Sequence, residues 1–420
     1  MLIESFIAHI IRSKTARYFT FGNIDSISPA AAPDYPIQLY IHIPFCLELC
    51  PYCSFHRVIY REEASRKYFK SLKKELDIYA SLGFHFSSVY IGGGTPTIDM
   101  YELLGLLDTI HGLFSPQEIS VETNPDRLDP YVLSSLARMD VKRVSVGIQT
   151  FQDDLLRMIG RYEKYGSGER LKERCKNARG YIDTLNADMI FNFPAQSMSM
   201  LEADLDILRE IGPDQVTYYP LMISDATRSK MEKIMGKQSY QKEKQFYNLI
   251  SSRLGSQYQP SSAWCFSRKG GCMIDEYIVS AREYVGVGSG AFGLVGNAIY
   301  ANTFSLKQYT DNLDQGRLPL KAKKDFSRKE MARYTFLMEL FGLRLDRDAF
   351  RQTFNTDIWT LLGPELLFFT LIGGIRWNGR MFSLTQKGRY YWVIMMREFF
   401  TGVDNFRDFS RKVVGLDSAI

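Results

Sequence analysis

Six short β-rich runs, each followed by a longer stretch with helical spacing, constrain this 420-residue chain more than any other feature. The runs are Gln38–Ile43, Ser88–Gly93, Glu118–Thr123, Arg143–Gln149, Ala187–Asn192 and Gln215–Pro220. Between them lie segments such as EASRKYFKSLKKELDIYASLG and YELLGLLDTIHGLF, where apolar residues recur every three or four positions. Alternation of this kind predicts parallel strands joined by right-handed crossovers, and so an α/β fold built as a complete or partial barrel. Each run ends in a polar or glycine-rich segment: HIPFC, GGGTPT, ETNPD, GIQTF, FNFPAQ and YYPLM. The carboxyl ends of parallel barrel strands converge on one mouth, so the functional site is expected there.

Past Ser224 the pattern changes. Ser261–Gly293 is dense in Gly, Ser and aromatics and is expected to form a loop-and-strand region closing over the barrel. From about Asp325 a compact helical segment begins; with the hairpin-like WNGRMFSLT it has a winged-helix-like outline. The unbroken run Tyr390–Met395 predicts burial rather than a groove-facing surface, so no nucleic-acid partner is expected. The expected organisation is an extension over 1–37, a partial-barrel core over 38–224, a barrel extension with a glycine-rich closing segment over 225–324, and a C-terminal domain over 325–420. The net charge of +5 is spread along the chain, which permits an acidic substrate without arguing for nucleic acid. The 25 Tyr and 28 Phe suit a flat apolar substrate, or equally an aromatic core. MLIESFIAHIIR at the start reads as an amphipathic helix rather than a signal peptide. The most apolar stretch, Leu361–Ile375, is broken by Pro364 and Glu365, so no membrane span is expected and the location expected is the cytoplasm.

Three of the six cysteines stand within eight residues, as Cys46-x3-Cys50-x2-Cys53 directly after the first run. Clustering of this kind points to metal or redox chemistry. One reading is a zinc site completed by His56 as Cys3His. The other is a four-iron cluster held by three thiolates, which leaves one iron open to an outside ligand. S-adenosylmethionine (SAM) is that ligand in radical SAM enzymes, where electron transfer from the cluster yields a 5′-deoxyadenosyl radical. Tyr52 would pack against the cluster and the adenine. Gly92, Gly93 and Gly94 allow a close backbone approach to a ligand, or a tight turn alone. Glu122 is either a ribose acceptor or a surface carboxylate. Arg161 is either a partner for a carboxylate or a solvated helix-end charge. Arg268, Lys269 and Asp275 are weaker candidates for substrate contacts, and Cys265 and Cys272 for auxiliary ligands.

In order along the chain, YIHIPFCLELCPYC, IGGGTPT, VETNPD, RVSVGIQTF, IGR and ADMIFNFPAQ resemble the oxygen-independent coproporphyrinogen III oxidase family (HemN), including its heme-chaperone branch (HemW). The resemblance covers roughly Tyr40–Phe292. It implies a partial (β/α)6 radical SAM barrel with a small helical, winged-helix-like C-terminal domain. A four-iron cluster on Cys46, Cys50 and Cys53 is also implied, with one SAM bound to it and a second nearby. Carried over by motif, Tyr40, Gly93 and Glu122 resemble contacts to the first SAM. Gly94, Thr95, Gln149, Arg161 and Asp188 resemble contacts to the second. Pro220, Ala291 and Phe292 fall where the family also touches SAM.

Two departures stand out. Phe55 occupies the place of a further cysteine in the oxidase, and Asn192-Phe193 replaces a usual Gly-Leu. These put decarboxylation of coproporphyrinogen in doubt, because the wider group also includes heme-binding chaperones, radical methyltransferases and anaerobic heme-degrading enzymes. The expected function is therefore a radical SAM oxidoreductase carrying out oxidation, decarboxylation or methyl transfer on a tetrapyrrole-like substrate. It would be reduced by a flavodoxin or ferredoxin-type donor. The alternatives are a heme chaperone and a zinc-binding winged-helix DNA-binding protein.

Overall fold

The computed structural model describes residues 2–18, 22–23, 31–268 and 282–414. Strands form at the six β-rich runs: β1 (Ile37–Ile43), β2 (Phe86–Gly93), β3 (Glu118–Thr123), β4 (Arg143–Gln149), β5 (Thr184–Phe191) and β6 (Gln215–Pro220). All five neighbouring pairs are parallel and follow chain order. Every residue of β1 is buried, as expected for a parallel strand covered on both faces.

Local signals start the crossover helices. Asp129 accepts from Val132 N at 3.0 Å and Pro130 takes the first turn of Pro130–Arg138, a position that needs no amide donor. Ser197 caps Met198–Ile211, which Gly212 ends in the left-handed region. Inside the barrel, fully buried Arg143 donates to Gln215 Oε1 at 2.8 Å and Ser120 Oγ at 3.0 Å, tying β4 to β6 and β3. Every polar group deep in the interior needs such partners.

The described parts of the segment expected to close over the barrel, 261–268 and 282–293, widen its sheet at both edges; 269–281 lie outside the described residues. β7 (Cys265–Ser267) runs antiparallel to β6. β8 (Tyr284–Val287) pairs parallel to β1, with Tyr284 opposite Gln38. β9 (Phe292–Val295), β10 (Ala298–Asn302) and β11 (Leu320–Asp325) continue antiparallel from β8. These strands share hydrogen bonds with the barrel; they form no separate layer above it.

The C-terminal region holds the helices Arg328–Phe341, Arg347–Phe354, Ile358–Leu371 and Gln386–Val414. A three-stranded sheet of β12 (Arg344–Asp346), β13 (Ile375–Trp377) and β14 (Met381–Leu384) completes it. A third strand thus joins the hairpin read from the sequence. Tyr390–Met396 are all buried, because Gln386–Val414 passes between the helices Leu2–Tyr18 and Arg328–Phe341. Among the described residues no helix is long and apolar enough to cross a membrane.

Candidate active site

The loop that carries the cysteines is closed at its base by a two-strand ladder. Phe45–Cys46 pairs parallel to Val58–Ile59, and Tyr60 N donates to Cys46 O at 2.8 Å. Within the loop the buried Arg57 guanidinium acts as a clamp. It donates to Cys50 O at 3.2 Å, to Phe55 O at 3.4 Å and to Cys53 O. Three carbonyls pointing at one cation fix the loop's shape without using any thiol.

Cys46, Cys50 and Cys53 are free and all line one cavity of about 280 Å³ at the carboxyl ends of the barrel strands. Burial pushes the Cys46 thiol up to about 11 and raises that of Cys53. Left to themselves these groups stay protonated; coordination to a metal removes the proton outright. Among the described residues no three His, Cys, Asp or Glu side chains stand close enough to grip one metal ion. A cluster asks no such convergence, since each thiolate binds its own iron. His56 does not complete a Cys3His set. Its ring stacks on His42 with centroids 5.8 Å apart, its Nε2 pairs with Ser289 Oγ at 3.2 Å, and it does not line the cavity. The donor set and its surroundings fit an iron–sulfur cluster.

Gly93 and Gly94 line this cavity, and the glycine run also meets a packing demand. A Cβ on Gly92 would lie 2.6 Å from Glu122 Oε1, and one on Gly94 only 2.5 Å from Phe45 O. Gly93 has a φ of 119°, which favours glycine, and its amide donates to Glu122 Oε2 at 2.9 Å. The glycines therefore let β2 press against the cysteine loop and Glu122. The other oxygen of Glu122 accepts from Tyr90 Oη at 2.9 Å, and burial raises its pKa. It is a bonded wall of the cavity rather than a surface charge.

Behind Tyr40, His42 Nε2 donates to the His56 carbonyl at 2.8 Å, which leaves Nδ1 to accept the Tyr40 hydroxyl at 2.8 Å. Burial lowers His42 to about 4, so the ring is neutral and the tautomer is set by these two bonds. Arg161 is only 4% exposed, which removes its reading as a solvated charge. Its Nη2 donates to Asn124 Oδ1 at 3.2 Å and to Gly147 O, while its buried Nε has no partner. Burial raises Asp188 to about 7 against the pull of Arg143, with Ser145 Oγ donating to it at 2.7 Å.

Tyr40, Tyr52, Gly93, Gly94, Glu122, Gln149, Arg161, Asp188 and Pro220 line the same cavity as the thiols. Three predicted contacts do not. Thr95 sits one layer back, with its hydroxyl 3.8 Å from Cys46 Sγ and accepting from Asn124 Nδ2 at 2.7 Å. Ala291 is fully buried beside Tyr40 and Tyr90, and Phe292 lies behind Arg407. Arg268 is at the far end of the barrel, where its amide donates to Asp214 O just before β6. Lys269, Cys272 and Asp275 lie outside the described residues. Cys265 is core, its thiol accepting from Thr217 Oγ1 at 3.6 Å. Asn192 has a φ of 67°, a conformation that Asn tolerates better than any other residue but Gly, so the turn after β5 keeps its shape without glycine.

The sequence reading missed Phe400, Asp404 and Arg407, which reach the cavity from helix Gln386–Val414. Their spacing of four and three places them on one helical face, a signal that was present in the chain. Asn124, in the strand-end motif ETNPD, and Tyr90, inside the second β-rich run, were also missed.

Residues 40–208 match the family model described as the radical SAM superfamily. The chain is 29% identical over 308 residues to the heme chaperone HemW of Bacillus subtilis, covering 69% of this chain and 79% of that protein. It is 26% identical over 393 residues to the oxygen-independent coproporphyrinogen III oxidase of Salmonella typhimurium, covering 86% and 84%. The solved structure of coproporphyrinogen III oxidase (HemN) from Escherichia coli superposes with a TM-score of 0.74 at 24% identity, over 90% of this chain and 94% of that one, and so shares its fold. Residues 40–208 are thus a radical SAM domain, a kind that works with a four-iron–four-sulfur cluster and SAM, in a chain similar to both HemN and HemW proteins.

Proposed function

We propose that this chain is a radical SAM enzyme acting on a tetrapyrrole-like substrate at the mouth of the barrel, with Cys46, Cys50 and Cys53 holding the cluster. The observation that carries the reading is the opening of three thiols, on a loop clamped by Arg57, into one cavity walled by successive strand ends. When bound, the cluster and SAM supply a 5′-deoxyadenosyl radical that abstracts hydrogen from the substrate. The chain's own residues bind and orient. Tyr40, Gly93 and Glu122 flank the SAM on the cluster, and Tyr52 packs beside it. Gly94, Gln149, Arg161, Asp188 and Pro220 form the wall for a second SAM, with Thr95 behind them and Ala291 and Phe292 backing the far side. The unpartnered Nε of Arg161 supports that assignment, since a carboxylate is the group that satisfies it best.

The wider reading keeps a barrel core over 38–224 with its extension to 324 and a separate C-terminal domain. It places the protein in the cytoplasm with a reduced flavodoxin or ferredoxin-type donor. A second reading, a heme chaperone, is supported by the identity to HemW proteins and by Phe55 in place of the oxidase's further cysteine. Anaerobically reconstituted protein, given SAM and dithionite, is expected to release 5′-deoxyadenosine faster with a porphyrinogen or heme than without. Tight heme binding with no such acceleration would favour the chaperone. A preparation that binds zinc and no iron would sink both readings.

A further inference from the structure

Lys164 stands where an ordinary surface lysine has no reason to be. It belongs to the short helix Tyr162–Tyr165, which follows the Ile159-Gly160-Arg161 turn. Gly160 has a φ of 69°, and a Cβ there would lie 3.3 Å from Pro51 Cδ, so the turn is laid directly on the cysteine loop. From that turn Lys164 Nζ reaches to 3.5 Å from Cys50 Sγ and to 3.5 Å from Glu48 Oε2. The lysine side chain is 11% exposed and that of Glu48 is 69% exposed.

An exposed ion pair is worth little and does not account for burying an ammonium group. Contact with a sulfur that becomes a thiolate ligand does account for it. Two other cations are near: Arg57 spends its hydrogen bonds on the carbonyls of Cys50, Cys53 and Phe55, and Arg161, whose charge also faces Cys50, donates to Asn124 Oδ1 and Gly147 O. Lys164 donates to a cysteine sulfur itself.

We infer that Lys164 sets the reduction potential of the cluster by donating to the Cys50 sulfur. Hydrogen bonds to the sulfurs and the net charge around a cluster are established levers on its potential. Reduction by a low-potential one-electron donor places one more negative charge on the cluster–thiolate unit. A fixed ammonium group beside Cys50 favours the reduced form and raises the potential. Lys164 is a positioning residue in this role: it touches a ligand sulfur and takes no part in bond making. The inference rests on Cys46, Cys50 and Cys53 being the cluster ligands.

The test is a dithionite titration of the anaerobically reconstituted full chain, followed by the electron paramagnetic resonance signal of the reduced cluster, with iron per chain measured on each sample. Lys164→Met is expected to bind iron as the parent does and to be about tenfold harder to reduce, which for a one-electron couple is a shift of about 59 mV to lower potential. Lys164→Arg keeps the charge and is expected to restore most of the difference. Glu48→Gln, an exposed change that leaves the fold alone, removes the competing carboxylate and is expected to shift the potential the opposite way by a smaller amount. Iron-loaded Lys164→Met with the parental potential would overturn the role of Lys164 while leaving the cluster assignment standing. Should Lys164→Met fail to hold iron, an unmoved potential in Glu48→Gln would overturn it equally. A parent chain that binds no iron would overturn both.

Discussion

At Gly94 the chain cannot carry a side chain without moving backbone. The atom an added Cβ would meet, at 2.5 Å, is the carbonyl oxygen of Phe45, and Gly94 N and Thr95 N themselves donate to Ile43 O and Phe45 O at 2.8 Å. Neither side has a flexible end to swing away. Gly94→Ala is therefore expected to cost about 1–3 kcal/mol, the usual range for overpacking a tight site. It should also lower iron per chain, because the displaced backbone is the strand that ends in Cys46. Gly112→Ala is the matched control: nothing lies within 4 Å of its added Cβ, and the residue sits inside helix Met100–Phe114. It should be neutral or stabilising by up to about 1 kcal/mol. Thermal unfolding and iron analysis of the two variants check the pair; equal loss of iron in both would show that Gly94 does not position the loop. The three adjacent glycines were legible as a special site in the sequence. Their physical demand, a loop and a carboxylate pressed against β2, was not, since it depends on Phe45 and Glu122 arriving from other strands.

Helix Gln386–Val414 joins two jobs in one element. Tyr390–Met396 in its first half are core, and its second half roofs the cavity with Phe400, Asp404 and Arg407. Arg407 is the connection to the cysteine loop: its guanidinium carbon lies 4.8 Å from the centroid of the Phe55 ring and 5.6 Å from that of Phe292, and Nη1 donates to Asp404 at 2.9 Å. Burial raises Asp404 to about 6, and Arg407 is what pulls it back down. Phe55 is thus the aromatic face on which the roof rests, in the position where the resemblance would place a cysteine. Removing Arg407 deletes a cation–π contact and a charged hydrogen bond, together about 1–2 kcal/mol in a part-buried setting. Arg407→Ala is expected to lower hydrogen-exchange protection about tenfold across residues 400–412 and to leave Tyr390–Met396 unchanged. A uniform fall along the helix would mean that the roof has no local anchor. From sequence Tyr390–Met395 read correctly as buried because six consecutive large residues leave no polar face. The second half was passed over because its target, the barrel mouth, is far away along the chain.

The sheet's seam lies where β8 comes back to β1, a parallel pairing between residues about 245 positions apart that no local pattern announces. The barrel strands and their functional ends were readable because each carries its own signal, an apolar run followed by glycine or polar residues. The seam carries none. What holds it is Glu75, buried on helix Glu62–Ser81 and accepting from Gly288 N at 2.9 Å, Asn302 Nδ2 at 2.9 Å and Tyr309 Oη. Three donors from the β8–β9 turn, β10 and the helix Leu306–Asp314 thus meet one carboxyl group. Burial nevertheless raises it to about 7 from an ordinary value of 4.5. Between these two values the folded chain keeps a proton that the unfolded chain has released, so stability falls as pH rises through that window. The contribution is full below about 4.5, is lost as pH passes 7 and changes no further above it. Glu75→Gln mimics the protonated form and carries no charge to desolvate. Its melting temperature relative to the parent should therefore climb between pH 5 and pH 8. A difference that stays flat across that range would mean that the charge on Glu75 is already fully balanced by its three donors, and that some other buried carboxyl, Asp188 or Asp404, governs how the assembled sheet responds to pH.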